Sequence, residues 1–130
     1  MENAMPQPTD TPAQLLFVYN ANSGLPNALL DAVHKLVSPS TYACSLCAIT
    51  YGAVSMRPEW KQFLRALPLP TKFLYRNQLP QLHPELLGFA LPAVFSQAKT
   101  GRVAQIISAA EMQSLNLAGL MALLQKRLAL

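Results

Sequence analysis

The unbroken apolar run Leu15-Leu16-Phe17-Val18-Tyr19 constrains the fold more than any other feature of this chain. A half-exposed strand would alternate apolar and polar residues, and this run does not. With β-preferring residues at its end, it predicts a strand buried on both faces, as in the interior of a layered sheet. The rest of the chain must then supply neighbouring strands and the apolar material to cover both sides.

Residues 1–13 hold three prolines and no apolar period, and are expected to form a disordered tail ahead of a single domain over 14–130. After the first strand, Asn20-Ala21-Asn22-Ser23-Gly24 is a turn cluster. Leu25 and Pro26 open a helix whose apolar residues (Leu25, Ala28, Leu29, Ala32, Val33, Leu36, Val37) follow one face, with Asp31, His34 and Lys35 off it. Ser38-Pro39 stops it, because a residue before proline avoids the α region. The second half of the segment 40–52 is expected to be a strand ending at Gly52.

Further on, Pro58 to Leu67 predicts a helix with Trp60, Phe63, Leu64 and Leu67 on one side, closed by Pro68 and Pro70. Thr71-Lys72-Phe73-Leu74-Tyr75 predicts a strand, and 78–90 a loop with a helical turn. Pro92 opens the next strand, through Ser96, at a position where proline is tolerated. Lys99-Thr100-Gly101 turns the chain into a strand over 102–107. Ser108 with Glu111 makes a capping box, and Asn116 caps a last helix showing Leu117, Leu120, Met121, Leu124 and Leu128 on one face. Strands alternating with helices and ending in a hairpin imply an α/β domain, a mixed sheet of four to five strands with helices on both faces.

Composition narrows the function classes. Only 12% of residues are charged while 52% are hydrophobic. Ordinary domains carry about 25% charged residues. Either apolar surface is buried against a partner, a homodimer above all, or uncharged polar groups do the solvating. The net charge of +4 comes from ten scattered Lys and Arg against six acids, without the basic stripe of a nucleic-acid binder. No stretch approaches the ~18 consecutive apolar residues of a membrane span. The polar, proline-containing start is no secretory signal, so a cytoplasmic address is expected, where thiols stay reduced.

The order of elements, a βαβ half followed by a ββα half, resembles the thioredoxin fold. Leu91-Pro92-Ala93-Val94-Phe95 is similar to the segment of that fold in which a cis proline opens a strand beside the active site. One departure matters. Thioredoxins carry their Cys-x-x-Cys between the first strand and the first helix, where this chain has Asn20 to Gly24 and no cysteine. Ordinary thioredoxin activity is therefore not implied. Tyr19 to Gly24, together with Asp31, His34-Lys35 and Cys44-Ser45-Leu46-Cys47, also resembles a small family of uncharacterised bacterial proteins; that likeness implies kinship and no chemistry.

Cys44 and Cys47 are the sharpest chemical signal. Two sulfurs three positions apart can form a disulfide or grip one metal ion if the chain bends between them. On an extended strand they would point to opposite faces and do neither. Redox use would pair the chain with a partner protein's thiols, with Asp31, His34 and Lys35 tuning the thiolate. Metal use, zinc being the candidate, needs two further ligands, and Asp31 and His34 share a helix face shortly before the pair; His83 is a more distant candidate. In the third alternative both cysteines are small core residues of a non-catalytic binding or dimerisation module. Asn20, Asn22 and Ser23, at a strand-to-helix turn, either cap the helix or form a polar ligand pocket with Pro92. Ser23, His34 and Asp31 lack the strained serine turn of a hydrolase.

Overall fold

The computed structural model describes residues 11–21, 45–50 and 56–129, with the backbone alone at 45, 47 and 48. Its frame is a mixed four-stranded sheet, β1 (Pro12–Tyr19), β2 (Thr71–Tyr75), β3 (Ala93–Ala98) and β4 (Val103–Ile107), in the order β2-β1-β3-β4. β1 is parallel to β2 and antiparallel to β3, and β4 is antiparallel to β3. The class is α/β. β1 begins at Pro12 and so takes in the last two residues of the expected tail.

The unbroken apolar run does what its composition requires. Leu15, Leu16, Phe17 and Val18 are fully buried and Tyr19 nearly so, because β1 is an interior strand whose two faces feed two cores. Side chains alternate across the sheet. Leu15, Phe17 and Tyr19 therefore join one cluster, with Leu46, Trp60, Val94, Ile107, Met112, Leu120 and Leu124. Leu16 and Val18 join the other, with Leu74, Leu79, Leu86, Ala93 and Phe95. Phe17 links β1 to its neighbours on the first side: its ring stacks on Phe73 at 5.0 Å and meets Trp60 edge-on at 5.6 Å.

The described helices are α1 (Ser45–Thr50), α2 (Pro58–Ala66), α3 (Leu79–Leu82), α4 (Ala109–Met112) and α5 (Leu117–Arg127). Pro58 starts α2, where its missing N–H costs nothing, and Leu67, extended before Pro68, ends it. The Ser108 hydroxyl accepts from the Glu111 N–H and the Glu111 carboxylate accepts from the Ser108 N–H, the reciprocal capping box expected for α4. Asn116 Oδ1 accepts from the Gly119 N–H at 2.7 Å and starts α5. Gly101, at φ 93, makes the turn between β3 and β4, a backbone conformation that side chains other than glycine disfavour.

Two expectations need correction. Residues 45–50 are helical, which removes the fifth strand. Short apolar runs do not distinguish strand from helix by period. Here the helix keeps Leu46 buried, and the Thr50 hydroxyl donates to the Leu46 carbonyl one turn back at 2.7 Å. The region 78–90, expected as a loop with one helical turn, holds α3 and a 3-10 turn (Pro84–Leu86), and a further 3-10 turn (Arg76–Gln78) leads into it. Pro80 and Pro84 are helix starters in it, each within the first turn of its segment. The helix expected over 25–37 lies outside the described residues.

Candidate functional site

In an open sheet with parallel strands, ligands gather at the carboxyl ends of those strands. Here that edge is built by β1 and β2. The register sets Tyr19 beside Tyr75, so the residues that follow, Asn20 and Arg76, leave the sheet side by side. Two hydrogen bonds hold them: the Arg76 N–H donates to the Ala21 carbonyl at 2.8 Å, and Arg76 Nη1 donates to Asn20 Oδ1 at 2.9 Å. β3 enters from the same end. Ala93 lies opposite Val18, so Pro92 approaches the sheet next to the end of β1. The Leu91–Pro92 peptide is cis and Pro92 is buried.

Of the four residues expected to line a pocket, Asn20 and Pro92 therefore lie at one end of the sheet, and Asn22 and Ser23 are outside the described residues. Arg76 is the residue at this edge that sequence reasoning missed. The signal was available in principle. Once the two runs ending in Tyr19 and Tyr75 are paired in parallel, the residues following them must meet, and one is a cation beside an amide.

Of the cysteine pair, Cys47 lies within α1, and Cys44 is outside the described residues. Asp31, His34 and Lys35 also lie outside them. Among the described residues no three His, Cys, Asp or Glu side chains come together in a way that could hold a metal ion. His83 is buried between α3 and the following 3-10 turn, with Nδ1 2.9 Å from Glu85 Oε2. That hydrogen bond is the main reason the Glu85 carboxyl sits below its usual range. An ionised carboxylate only accepts, so Nδ1 carries the proton in this pair.

At the far end of the chain, Arg127 forms a bidentate pair with Glu111 at 2.8 and 2.6 Å and donates to the Ile106 carbonyl at 2.7 Å. The Arg127 guanidinium is the chief cause that holds the Glu111 carboxyl down at about 2. This network ties the end of α5 to α4 and β4, and is structural. Among the described residues no helix is long and apolar enough to cross a membrane. Compared with known proteins, the chain matches no family model, no curated protein and no solved structure.

Proposed function

We propose that this chain is a cytoplasmic thioredoxin-like thiol protein in which Cys44 and Cys47 work as a redox pair. The observation that carries the proposal is the helical backbone at Ser45–Thr50. A strand would have sent the two sulfurs to opposite faces, whereas positions three apart on a helix share a face. The sheet order β2-β1-β3-β4 and the strand opening after Pro92 support the thioredoxin-like part.

In the redox step one thiolate attacks a partner disulfide. A mixed disulfide forms and the first partner sulfur leaves as a thiolate. The second cysteine, deprotonated, then attacks the mixed disulfide and releases the other partner sulfur. The partner gains two electrons and becomes a dithiol; Cys44 and Cys47 lose two and become a disulfide. Asp31, His34 and Lys35 are the side chains assigned to tuning the attacking thiolate. The same pair is half of a zinc set that Asp31 and His34 would complete.

Thiol titration before and after a mild oxidant, with metal content measured on protein purified without chelator, tests the proposal. Loss of both thiols together, with the chain still monomeric in mass under denaturing conditions, supports the redox pair. Stoichiometric zinc that disappears in Cys44→Ser moves the pair to metal binding. Two thiols that stay titratable, in protein without metal, leave the cysteines as core residues of a binding or dimerisation module.

A further inference from the structure

We propose that the Arg127–Glu111 pair guards the outer edge of β4: by clasping the β-bulge at Ile106 it keeps that edge from pairing with β4 of a second copy of this chain. β4 is an outer strand of the described sheet. Such a strand presents unpaired N–H and C=O groups, a template on which another chain can pair. The Ala98 N–H donates to the Arg102 carbonyl at 2.9 Å, which makes Ala98 and Arg102 a hydrogen-bonded pair. Pairs alternate along an antiparallel ladder. Val103 and Gln105, opposite Gln97 and Phe95, therefore turn their backbone groups away from β3 and toward the open side. Ala104 and Gln105 are exposed, and among the described residues no strand lies beyond them.

The next position breaks the template. Gln105 lies opposite Phe95 and Ile107 opposite Val94, so Ile106 is an extra residue with no counterpart on β3. A bulge leaves its extra residue out of the ladder and bends the strand. The carbonyl of that residue is the one Arg127 takes, at 2.7 Å. Arg127 is in turn held by both carboxylate oxygens of Glu111, at 2.8 and 2.6 Å, and Glu111 is fixed by the Ser108 N–H at 3.0 Å. One guanidinium thus clasps the end of α5, α4 and the bulge. A strand pairing with Val103 and Gln105 finds no continuation at Ile106, where the backbone is bent and its carbonyl is already used. The open edge is then shorter than the ~3 residues of the shortest ordinary strands. Without the clasp the bulge is no longer held and the edge lengthens. An antiparallel edge is complementary to itself about a two-fold axis, so in a solution of this chain the strand that adds is another β4.

The guard does not rest on the thiol proposal, and its test is run in excess reductant on the full chain. Sedimentation velocity over a concentration series is paired with hydrogen exchange of the β4 amides. Arg127→Ala is expected to add an association step that wild type lacks, doubling the mass of the sedimenting species. In the associated form the Val103 and Gln105 amides become protected. Glu111→Gln loses the bidentate pair but keeps the capping box, where glutamine also serves, and should associate in the same way. Arg127→Lys retains a donor for the Ile106 carbonyl and should associate less than Arg127→Ala. Adding Gln105→Pro to Arg127→Ala should abolish the association, because the N–H it removes faces outward and makes no bond to β3. The proposal is overturned by folded Arg127→Ala or Glu111→Gln chains that keep the wild-type mass at every concentration. Association that survives Gln105→Pro, or that leaves both amides exchanging as in wild type, overturns it equally.

Discussion

Phe17→Ala is the substitution to which the two-sided burial of β1 makes this protein most sensitive. Phe17 is fully buried on an interior strand, stacked on Phe73 and edge-on to Trp60. Truncating such a ring costs about 3–5 kcal/mol, through lost transfer energy and the cavity left behind. The two aromatic pairings, about 0.5–1.5 kcal/mol each, are part of that total. A domain of this size is stable by about 5–15 kcal/mol, so the variant loses about a fifth or more of its margin. With a urea slope of about 2 kcal/mol/M, the unfolding midpoint should fall by about 2 M. Trp60 is the chain's one tryptophan and touches the substituted ring, so its fluorescence follows the transition directly, with far-UV circular dichroism as the second probe. Phe73→Ala should cost less, because Phe73 lies on the edge strand β2 and keeps part of its surface exposed. A Phe17→Ala loss below about 1.5 kcal/mol, or one no larger than that of Phe73→Ala, would refute the placement of β1 between two cores.

Two further outcomes follow from the local chemistry. The Glu111 carboxyl is held at about 2 instead of 4.5, so its pairing with Arg127 stabilises the fold fully above the ordinary carboxyl range, and that contribution is lost as pH falls through 4.5 toward about 2; the stability gap between wild type and Glu111→Gln, read from urea midpoints across that range, should narrow with acidification. Asn116→Ala removes the side-chain cap of α5 and should cost about 1 kcal/mol, lowering Tm by about 4 °C, while Asn116→Asp should cost little because it keeps the accepting oxygen.

Much of the frame was legible because its signals were local. Leu15 to Tyr19 had no alternation to suggest an exposed face, Thr71 to Tyr75 was set off by Pro68 and Pro70, and Ser108 and Asn116 carried caps that the structure uses. Residues 45–50 were misread because six residues with Leu46 and Ile49 fit either period, and the deciding contacts are the Thr50 hydrogen bond and the burial of Leu46 under the sheet. Pro80 and Pro84 lie in the stretch 78–90 read as a loop with one helical turn; each is in the first turn of a short helical segment, a distinction that depends on where the preceding residue places the chain. The Asn20–Arg76 hydrogen bond was not legible at all without the parallel register, which joins residues far apart in sequence. The cysteine spacing was visible from the start, but spacing alone does not say whether the backbone there is bent or extended.

Peptide mapping after mild oxidation is the most direct measurement of the thiol proposal. Tryptic cleavage after Lys35 and Lys61, the Arg57–Pro58 bond being resistant, releases Cys44 and Cys47 on one peptide, so a bond between them appears as that peptide lighter by two hydrogens and unreactive to alkylation. The account predicts this product within single chains, restored to two alkylatable thiols by a reductant. Recovery of the same peptide with both cysteines alkylated after oxidation, in protein that binds no metal, would contradict it.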